Sequence, residues 1–180
     1  KGLELSAEKL DQTIIDLNNI LKVRGEISER KEITDLSGIV GDIKDNFRSL
    51  IEREEAIIKI DFSDIEKVFT VKSYFYSIFY NLISNSIKYR KSGEISVIEI
   101  KSLKQNNNVI LIFKDNGIGI DLSLYGDKIF GLYKRFHLDV EGKGMGLFMV
   151  KTQVEALGGK ISLKSEVDKG TEIILEFQAA

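Results

Sequence analysis

Two pairs of strand-like segments constrain the fold of this chain more than any other feature of its sequence. ISVIEIKSLK (95–104) and NVILIFKD (108–115) are joined through QNNN, and KISLKSE (160–166) and TEIILEF (171–177) are joined by a turn at Lys169-Gly170. Segments joined in this way predict β-hairpins, in which the paired strands are antiparallel. An all-parallel sheet is therefore disfavoured.

Helical patterns surround these hairpins. Apolar residues recur at helical spacing in 36–52, 72–90 and 144–159, and the last of these is predicted to end at a glycine cap. Shorter strand patterns are KEITDL, AIIKIDF (56–62) and KVFTV (67–71). Residues 121–141 show no clear pattern. The mixture predicts an α+β layered sandwich rather than a doubly wound parallel fold.

Composition disfavours several classes of function. The chain has 180 residues, no cysteine and one histidine, which argues against disulfides, thiol catalysis, a histidine metal site and a Ser-His-Asp triad. A formal net charge of −2 predicts no general attraction to nucleic acid. No apolar run approaches the roughly 20 residues that span a bilayer. We expect a cytoplasmic domain cut from a longer protein, which could itself be membrane-anchored.

The first 24 residues carry a heptad seam. It consists of Leu3, Ala7, Leu10, Ile14, Leu17 and Leu21. A lone helix of this length is marginal in water, so the seam favours a partner helix, either in a second chain or in a missing part of the same one. An N-terminal helix packed on its own domain is the alternative. The charged stretch RGEISER (24–30) is predicted to be a linker.

The helix predicted over 73–89 has an unusual polar face. On a helical wheel, one arc carries Ser73, Ser77, Asn81, Ser84, Asn85 and Lys88. A solvent-facing stripe would carry Lys and Glu, whereas uncharged hydrogen-bonding groups suit a partly dry face that contacts a ligand. Amide oxygens can ligate Mg²⁺, and an ammonium can contact a phosphate. The alternative is a helix with structural amides on a buried seam.

Two glycine-rich stretches are also candidates for ligand contact. In DNGIGI (115–120), Asn-Gly is typical of a type I′ hairpin turn, but the second glycine is better explained by a ligand against bare backbone. GKGMG (142–146) precedes a helix, as expected for a phosphate site, although it is neither a Walker loop nor a dinucleotide fingerprint. A flexible loop with a helix cap is the alternative for this second stretch.

The segment between the two glycine stretches is predicted to be a lid. KIFGLYKRFHLDVEGKG has aromatic residues, four basic residues and little periodicity. Arg135 is its best candidate for a phosphate contact because a guanidinium presents a fixed fork of donors. The single histidine, His137, is expected to be an exposed residue of this segment without a chemical role.

Together these motifs resemble the ATP-binding catalytic domain of sensor histidine kinases, in the superfamily that includes gyrase, MutL and the large ATP-driven chaperones. NLISNSIKY (81–89) resembles the N box, DNGIGI the first glycine box, IFGLYKRF (129–136) the F box and GKGMGL (142–147) the second glycine box; GTEIILEF (170–177) resembles the closing strand. The resemblance implies a two-layer α/β sandwich of the Bergerat type, with a mixed sheet and helices on one face, preceded by an N-terminal helix.

The resemblance also implies a domain division. Residues 1–24 would be the remnant second helix of a dimerisation and phosphotransfer hairpin, residues 25–30 a linker, and residues 31–178 the ATP-binding catalytic domain. The implied ligands are ATP and Mg²⁺. The implied partners are a hairpin that carries the phosphoacceptor histidine, a response regulator, and a second copy of the protein paired through the N-terminal helix.

The residue roles that follow are those that the resemblance implies. Asp115 would accept a hydrogen bond from the adenine amine, Gly117 and Gly119 would let backbone approach the purine beside Ile120, Tyr89 would lie against the base, and Thr171 would reach it through a water. Asn85 would ligate Mg²⁺. Asn81, Lys88 and Arg135 would be the catalytic residues, orienting the metal's water and the phosphates. The phosphates would also contact Gly142, Lys143, Gly144, Gly146 and Leu147.

Departures from the family pattern limit the expected reaction. The chain has no proline and no histidine in the family's phosphoacceptor motif, so it would hold the catalytic machinery without the residue that is phosphorylated. Asn81 stands where the ATP-hydrolysing relatives have glutamate, which favours a kinase over an ATPase because no general base is placed to activate water. Two alternatives remain, a degenerate module that binds nucleotide or a partner without catalysis, and a dimerising helix with a passive α+β domain.

Overall fold

The computed structural model describes residues 30–136 and 143–178. The predicted N-terminal helix, most of the predicted linker, His137 and Gly142 lie outside these residues. In chain order the elements are β1 (Glu32–Asp35), α1 (Leu36–Asn46), α2 (Arg48–Arg53), β2 (Ile57–Asp61), β3 (Lys67–Thr70), α3 (Lys72–Lys88), β4 (Val97–Gln105), β5 (Asn108–Asp115), α4 (Leu122–Tyr125), a 3₁₀ helix (Gly126–Phe130), α5 (Gly146–Ala156), β6 (Lys160–Glu166) and β7 (Gly170–Gln178).

Five strands form one mixed sheet in the order β2-β4-β5-β7-β6. The β2–β4 pair is parallel and the other three pairs are antiparallel, so both predicted hairpins are confirmed. Leu111 on β5 lies opposite Ser102 on one side and Leu175 on the other. The strands β1 and β3 form a separate antiparallel pair. The structure confirms the predicted α+β, two-layer arrangement.

The helices cover one face of this sheet. Ile98, Ile100, Leu111 and Leu175 are completely buried against helical residues that include Phe79. The opposite face carries charged side chains, namely Glu99, Lys101, Lys114, Glu172 and Glu176, together with the apolar residues Ile110, Ile112 and Ile174. Because side chains on a strand point to opposite faces in turn, the fully buried residues all lie on the face that the helices cover.

The helix predicted over 36–52 is divided in two. Asp35 caps the first helix by accepting a hydrogen bond from the backbone N–H of Ser37 at 2.9 Å. The helix ends at Phe47, whose backbone leaves helical geometry with φ −100° and ψ 11°. The Phe47 ring packs on Tyr80 of α3 at 4.7 Å between centroids, so tertiary packing accompanies the break that periodicity did not predict.

Two turns differ from the sequence prediction in detail. The β6–β7 turn occupies residues 167–169, with Asp168 at φ +61°, and Gly170 is already the first residue of β7. DNGIGI forms a loop between β5 and α4 rather than a hairpin, because no strand pairs across it. The predicted glycine cap of α5 is confirmed by Gly158 at φ +77°.

Within the two described ranges, no helix has the length and apolar character needed to cross a membrane.

Candidate functional site

One cavity gathers most of the predicted site residues. It has a volume of about 600 Å³ and is bounded by α3, the ends of β5 and β7, residues 129–136 and the start of α5. This volume is typical of a small-molecule site. The predicted residues on its wall are Asn81, Asn85, Lys88, Tyr89, Asp115, Gly119, Ile120, Lys143, Gly144, Gly146, Leu147 and Thr171.

Asp115 forms one end of the cavity, where β5 ends. Its Oδ1 accepts hydrogen bonds from the backbone N–H groups of Gly117 at 2.9 Å and Thr171 at 3.1 Å. Its Oδ2 accepts a hydrogen bond from the Ser86 hydroxyl at 3.0 Å. Burial raises the pKa of Asp115 above its ordinary value, and these three hydrogen bonds oppose that rise. An ionised carboxylate of this kind accepts hydrogen bonds only, so it selects a ligand with a donor.

The loop after Asp115 is bound tightly to the rest of the protein. Asn116 accepts a hydrogen bond from Val97 N at 2.8 Å and donates one to the Ile95 carbonyl at 2.9 Å. Ile118 N donates to the Tyr89 carbonyl at 2.9 Å, and the Ile118 carbonyl accepts from Asp168 N at 2.9 Å. The loop is therefore clamped between the end of α3 and the β6–β7 turn.

This clamping explains the two glycines of the loop. A Cβ on Gly117 would lie 2.5 Å from the Tyr89 carbonyl oxygen. Gly119 has φ +67°, and a Cβ there would overlap the Glu166 carbonyl group. Gly119 lies on the cavity wall and Gly117 does not. Close approach of protein backbone therefore requires both glycines, and contact with a purine remains a prediction for each.

The other end of the cavity brings α3 and α5 together. Asn81 Nδ2 donates to the Ser77 carbonyl at 2.8 Å, which fixes its amide oxygen on the side away from that bond. A Cβ on Gly146 would lie 3.2 Å from Asn81 Oδ1 and 3.2 Å from Asn85 Nδ2. The first turn of α5 thus sits directly against two amides that are one helical turn apart on α3. A side chain at position 146 would push aside the amide of Asn81 or of Asn85, so glycine fits best there.

The segment 129–136 closes the same end. Lys134 and Phe136 lie on the cavity wall, and the ring of Phe136 packs on Tyr125 at 4.8 Å. Gly144 has φ +72°, and a Cβ there would overlap the Lys134 backbone. The second glycine stretch is therefore in direct contact with the segment predicted to be a lid.

Two more of the predicted residues on the cavity wall, Lys88 and Tyr89, are neighbours in the chain. The Lys88 ammonium is 5.1 Å from the centre of the Tyr89 ring. Burial raises the pKa of the Tyr89 hydroxyl, and the positive charge of Arg135 lowers it, so Arg135 is close enough to act on this ring. Arg135 itself is exposed and does not lie on the cavity wall.

Thr171 belongs to a small hydroxyl network at the Asp115 end. Ser165 Oγ donates to the Gly170 carbonyl at 2.8 Å, accepts from Ile120 N at 2.8 Å, and lies 2.9 Å from Thr171 Oγ1. Either hydroxyl can be the donor in the contact between Ser165 and Thr171. When Ser165 donates to Gly170, Thr171 donates to Ser165 and has only lone pairs to offer a ligand.

The cavity wall also contains Ser84, from the polar arc of α3, and residues to which the sequence analysis gives no individual role. The latter are Tyr80, Leu82, Ser86, Phe113, Ile129, Lys134, Phe136, Met145 and Ile173. Phe113 and Ile173 are core-facing positions of predicted strands, so their place could have been inferred. Lys134 is one of several basic residues in an aperiodic segment, and spacing alone does not indicate which of them points inward.

A second cavity lies at the opposite end of the sheet, beside the β1–β3 pair. It has a volume of about 440 Å³, and its wall includes Lys31, Lys67, Lys104, Phe75 and Phe177. None of the predicted site residues that the structure describes lines it. The chemistry of the motifs is therefore concentrated in the first cavity.

Comparison with known proteins gives the class of this domain. Residues 70–180 match the model of the histidine kinase-, DNA gyrase B-, and HSP90-like ATPases. The chain belongs to this family, which is a family of ATP-binding domains. Within the family it is an ATP-binding catalytic domain of the sensor histidine kinase type.

Several curated relatives are sensor kinases. The chain is 30% identical to the sensor histidine kinase AtsR of Burkholderia thailandensis over 97% of this chain and 30% of AtsR. It is 28% identical to the sensor protein SrrB of Staphylococcus aureus over 95% of this chain and 30% of SrrB. The histidine protein kinase SaeS of Staphylococcus epidermidis is 24% identical over 96% of this chain and 50% of SaeS. The chain thus spans 30% to 50% of the length of these relatives.

Solved structures support the fold. The histidine kinase AdeS of Acinetobacter baumannii matches with a TM-score of 0.77 at 21% identity, over 99% of this chain and 83% of AdeS. Full-length ShkA in complex with AMPPNP matches with a TM-score of 0.77 at 19% identity, over 99% of this chain and 38% of ShkA. The catalytic domain of the histidine kinase ThkA matches with a TM-score of 0.69 at 20% identity, over 83% of this chain and 96% of that domain.

Proposed function

We propose that this chain binds ATP together with Mg²⁺ and transfers the γ-phosphoryl group to a histidine that the chain itself does not supply. One observation carries the proposal. A single cavity has a partly buried carboxylate, held by hydrogen bonds, at one end and, at the other, two neighbouring amides packed against a glycine-rich helix start. A cavity of about 600 Å³ with these two ends suits a ligand that joins a base to a chain of phosphates.

The Asp115 end is suited to adenine. The 6-amino group of adenine is a donor, and the Asp115 carboxylate is an acceptor held in place by three hydrogen bonds. Phe113 and Ile173 offer apolar surface beside it, and Tyr89 offers an aromatic ring. A 6-oxo purine would place one acceptor against another, so we expect the cavity to prefer ATP over inosine or guanosine triphosphate.

The residues of the other end fit Mg²⁺ held together with phosphates. The described residues contain no cluster of three His, Cys, Asp or Glu side chains that could hold a metal, so the protein offers amide oxygens instead. The amides of Asn81 and Asn85 meet beside Gly146. Mg²⁺ uses oxygen ligands, often few from the protein and several from phosphates and water, and when bound it neutralises phosphate charge. In this proposal Asn85 is the protein ligand and Asn81 orients a metal-bound water.

The basic side chains complete the phosphate end. Lys88, Lys134 and Lys143 lie on the cavity wall, and we propose that they neutralise the charge of the β- and γ-phosphates. The backbone of 144–146 at the start of α5 offers N–H donors to the same groups. We propose that Arg135, which is exposed and lies in the segment 129–136, contacts the distal phosphate.

The proposed reaction is transfer to a histidine rather than hydrolysis. A water nucleophile needs a base, and the amide of Asn81 cannot accept a proton from it. A neutral histidine ring is a nucleophile without such help. We propose that this histidine lies on a helical hairpin of the same or a second protein chain, that residues 1–24 pair with a second copy, and that a response regulator receives the phosphoryl group. We place the domain in the cytoplasm, where ATP is available.

Two measurements test the proposal. Calorimetric titration of the chain with ATP, with and without Mg²⁺, should give micromolar binding that Mg²⁺ strengthens. Incubation with γ-labelled ATP and a separately produced hairpin carrying the acceptor histidine should then label that hairpin at an acid-labile site. The absence of nucleotide binding in both conditions would refute the proposal. Binding without labelling of any hairpin would favour the alternative of a nucleotide-binding module.

A further inference from the structure

Ser86 is a buried polar residue that the proposed reaction does not use. It lies on α3 one turn before Arg90, on the wall of the cavity, and is 8% exposed. Its hydroxyl lies 3.0 Å from Asp115 Oδ2 and 3.1 Å from the carbonyl oxygen of Leu82. The hydroxyl has one proton, so it donates to one of these acceptors at a time.

The Asp115 carboxylate is the stronger of the two acceptors. A hydrogen bond to an ionised group is roughly twice as strong as one between neutral groups, and the Leu82 carbonyl is a neutral group within α3. The Ser86 proton is therefore directed to Asp115. The bond to Leu82 is the ordinary alternative for a serine in a helix, and it would leave Oδ2 without this donor.

The three donors occupy three of the four lone pairs of the Asp115 carboxylate. Gly117 N and Thr171 N occupy both lone pairs of Oδ1, and Ser86 occupies one lone pair of Oδ2. One lone pair of Oδ2 remains for a ligand. The donors come from α3, the loop after β5 and β7, so the carboxylate is fixed from three directions. Without Ser86, the protein would hold Oδ1 alone, and Oδ2, the oxygen left with a lone pair for the ligand, would have no donor from the protein to fix it.

We propose that Ser86 is a specificity-determining residue, whose hydroxyl sets the orientation of the Asp115 carboxylate so that one fixed acceptor meets the 6-amino group of the nucleotide. This inference rests on the proposed function, because it requires Asp115 to read the base. Ser86 is a positioning residue in this scheme, since it acts on the ligand through Asp115.

A pair of nucleotides separates this role from a structural one. ATP carries the 6-amino group, and purine riboside triphosphate carries a hydrogen at the same position and is otherwise the same. A structural defect in the site would weaken both nucleotides. Loss of the Ser86 hydroxyl should weaken ATP alone, by about three- to tenfold, which corresponds to one hydrogen bond.

The experiment measures both nucleotides with Mg²⁺ by calorimetry for the wild type, Ser86→Ala and Ser86→Cys. The alanine variant removes the hydroxyl, and the cysteine variant keeps a similar volume with a weak donor and also serves if the alanine variant folds poorly. Ser102→Ala is the matched control, because Ser102 is 2% exposed, bonds to the Ile65 carbonyl at 2.8 Å and lies outside the cavity. It should leave the ratio of the two affinities unchanged.

The outcomes are distinct. A preference of the wild type for ATP that narrows in Ser86→Ala and in Ser86→Cys, with unchanged binding of purine riboside triphosphate, supports the inference. A preference that stays the same in both variants overturns it and leaves the proposed function intact. If the wild type does not distinguish the two nucleotides, or binds neither, base recognition by Asp115 is wrong and the role of Ser86 is overturned with it.

Discussion

The two ends of the cavity are built in different ways. At the Asp115 end, one carboxylate is held by hydrogen bonds from three elements, and the neighbouring loop is clamped by backbone contacts. At the Gly144 end, the cations Lys134 and Lys143 are exposed, long side chains. If the proposed function is right, the group that recognises the base is held in place before a ligand arrives, whereas the phosphates are bound by side chains that can move with them.

The largest expected effect tests the clamping of the Asp115 end. Gly119→Ala should lower the free energy of unfolding by about 3 kcal/mol or more, because the new methyl group would overlap the Glu166 carbonyl and the residue has φ +67°. Denaturant unfolding measures this loss. Gly93→Ala is the matched control, since Gly93 has φ +78° with no atom within 4 Å of the new Cβ. It should cost only about 1–2 kcal/mol. Equal losses would mean that the loop is not clamped.

The next effect concerns base recognition itself. Asp115→Asn should weaken ATP binding by about 1–3 kcal/mol, because the amide offers a donor where the carboxylate offered only acceptors. Calorimetry with ATP and inosine triphosphate measures the change, and the preference between them should narrow. An unchanged affinity for ATP would show that another group reads the base.

At the phosphate end, the metal contact should be the largest single contribution. Asn85→Ala should remove most of the gain in ATP affinity that Mg²⁺ provides, by about 10- to 100-fold, while binding without metal changes little. Titrations with and without Mg²⁺ measure this difference. Asn108→Ala is a suitable control, because that amide bonds to Glu176 at 2.6 Å, far from the cavity. Full retention of the Mg²⁺ effect would exclude Asn85 as a ligand.

The smallest expected effect distinguishes the two basic residues of the 129–136 segment. Lys134→Ala should weaken ATP binding by about 0.5–1 kcal/mol, since an exposed cation contributes little per contact, and the loss should shrink as salt rises. The measurement is ATP affinity at two ionic strengths. Arg135→Ala, which alters a residue outside the cavity wall, should have the smaller effect. A larger loss of ATP affinity in Arg135→Ala than in Lys134→Ala would favour Arg135 as the main phosphate contact.

The sequence predicted the parts of the fold that depend on local pattern. The hairpins followed from alternation and turn residues, and the face of α3 with Asn81 and Asn85 followed from helical spacing. The break at Phe47 did not, because it accompanies packing on Tyr80, a residue 33 positions away in the chain. Periodicity does not contain such long-range contacts.

The candidate site, like the fold, can be predicted from the sequence only in part. The sequence predicts a ligand beside the glycines of DNGIGI. The structure shows a second reason for these glycines, the nearby backbone of Tyr89 and Glu166, which sequence spacing does not reveal. The helical wheel does not predict Ser86 as a site residue because it falls outside the polar arc, although its hydroxyl bonds to Asp115. A residue on the apolar side of a helix can still belong to a site when a strand end approaches it there.

The position of β7 has a consequence for synthesis on the ribosome. This strand, Gly170–Gln178, lies in the sheet between β5 and β6, and its second residue, Thr171, donates to Asp115. A nascent chain that has reached only β6 therefore lacks one of the two strands that flank β5 and one of the three donors on the carboxylate. The adenine end cannot be completed until β7 has emerged and inserted, so nucleotide capture would mark the finished domain and not a growing one.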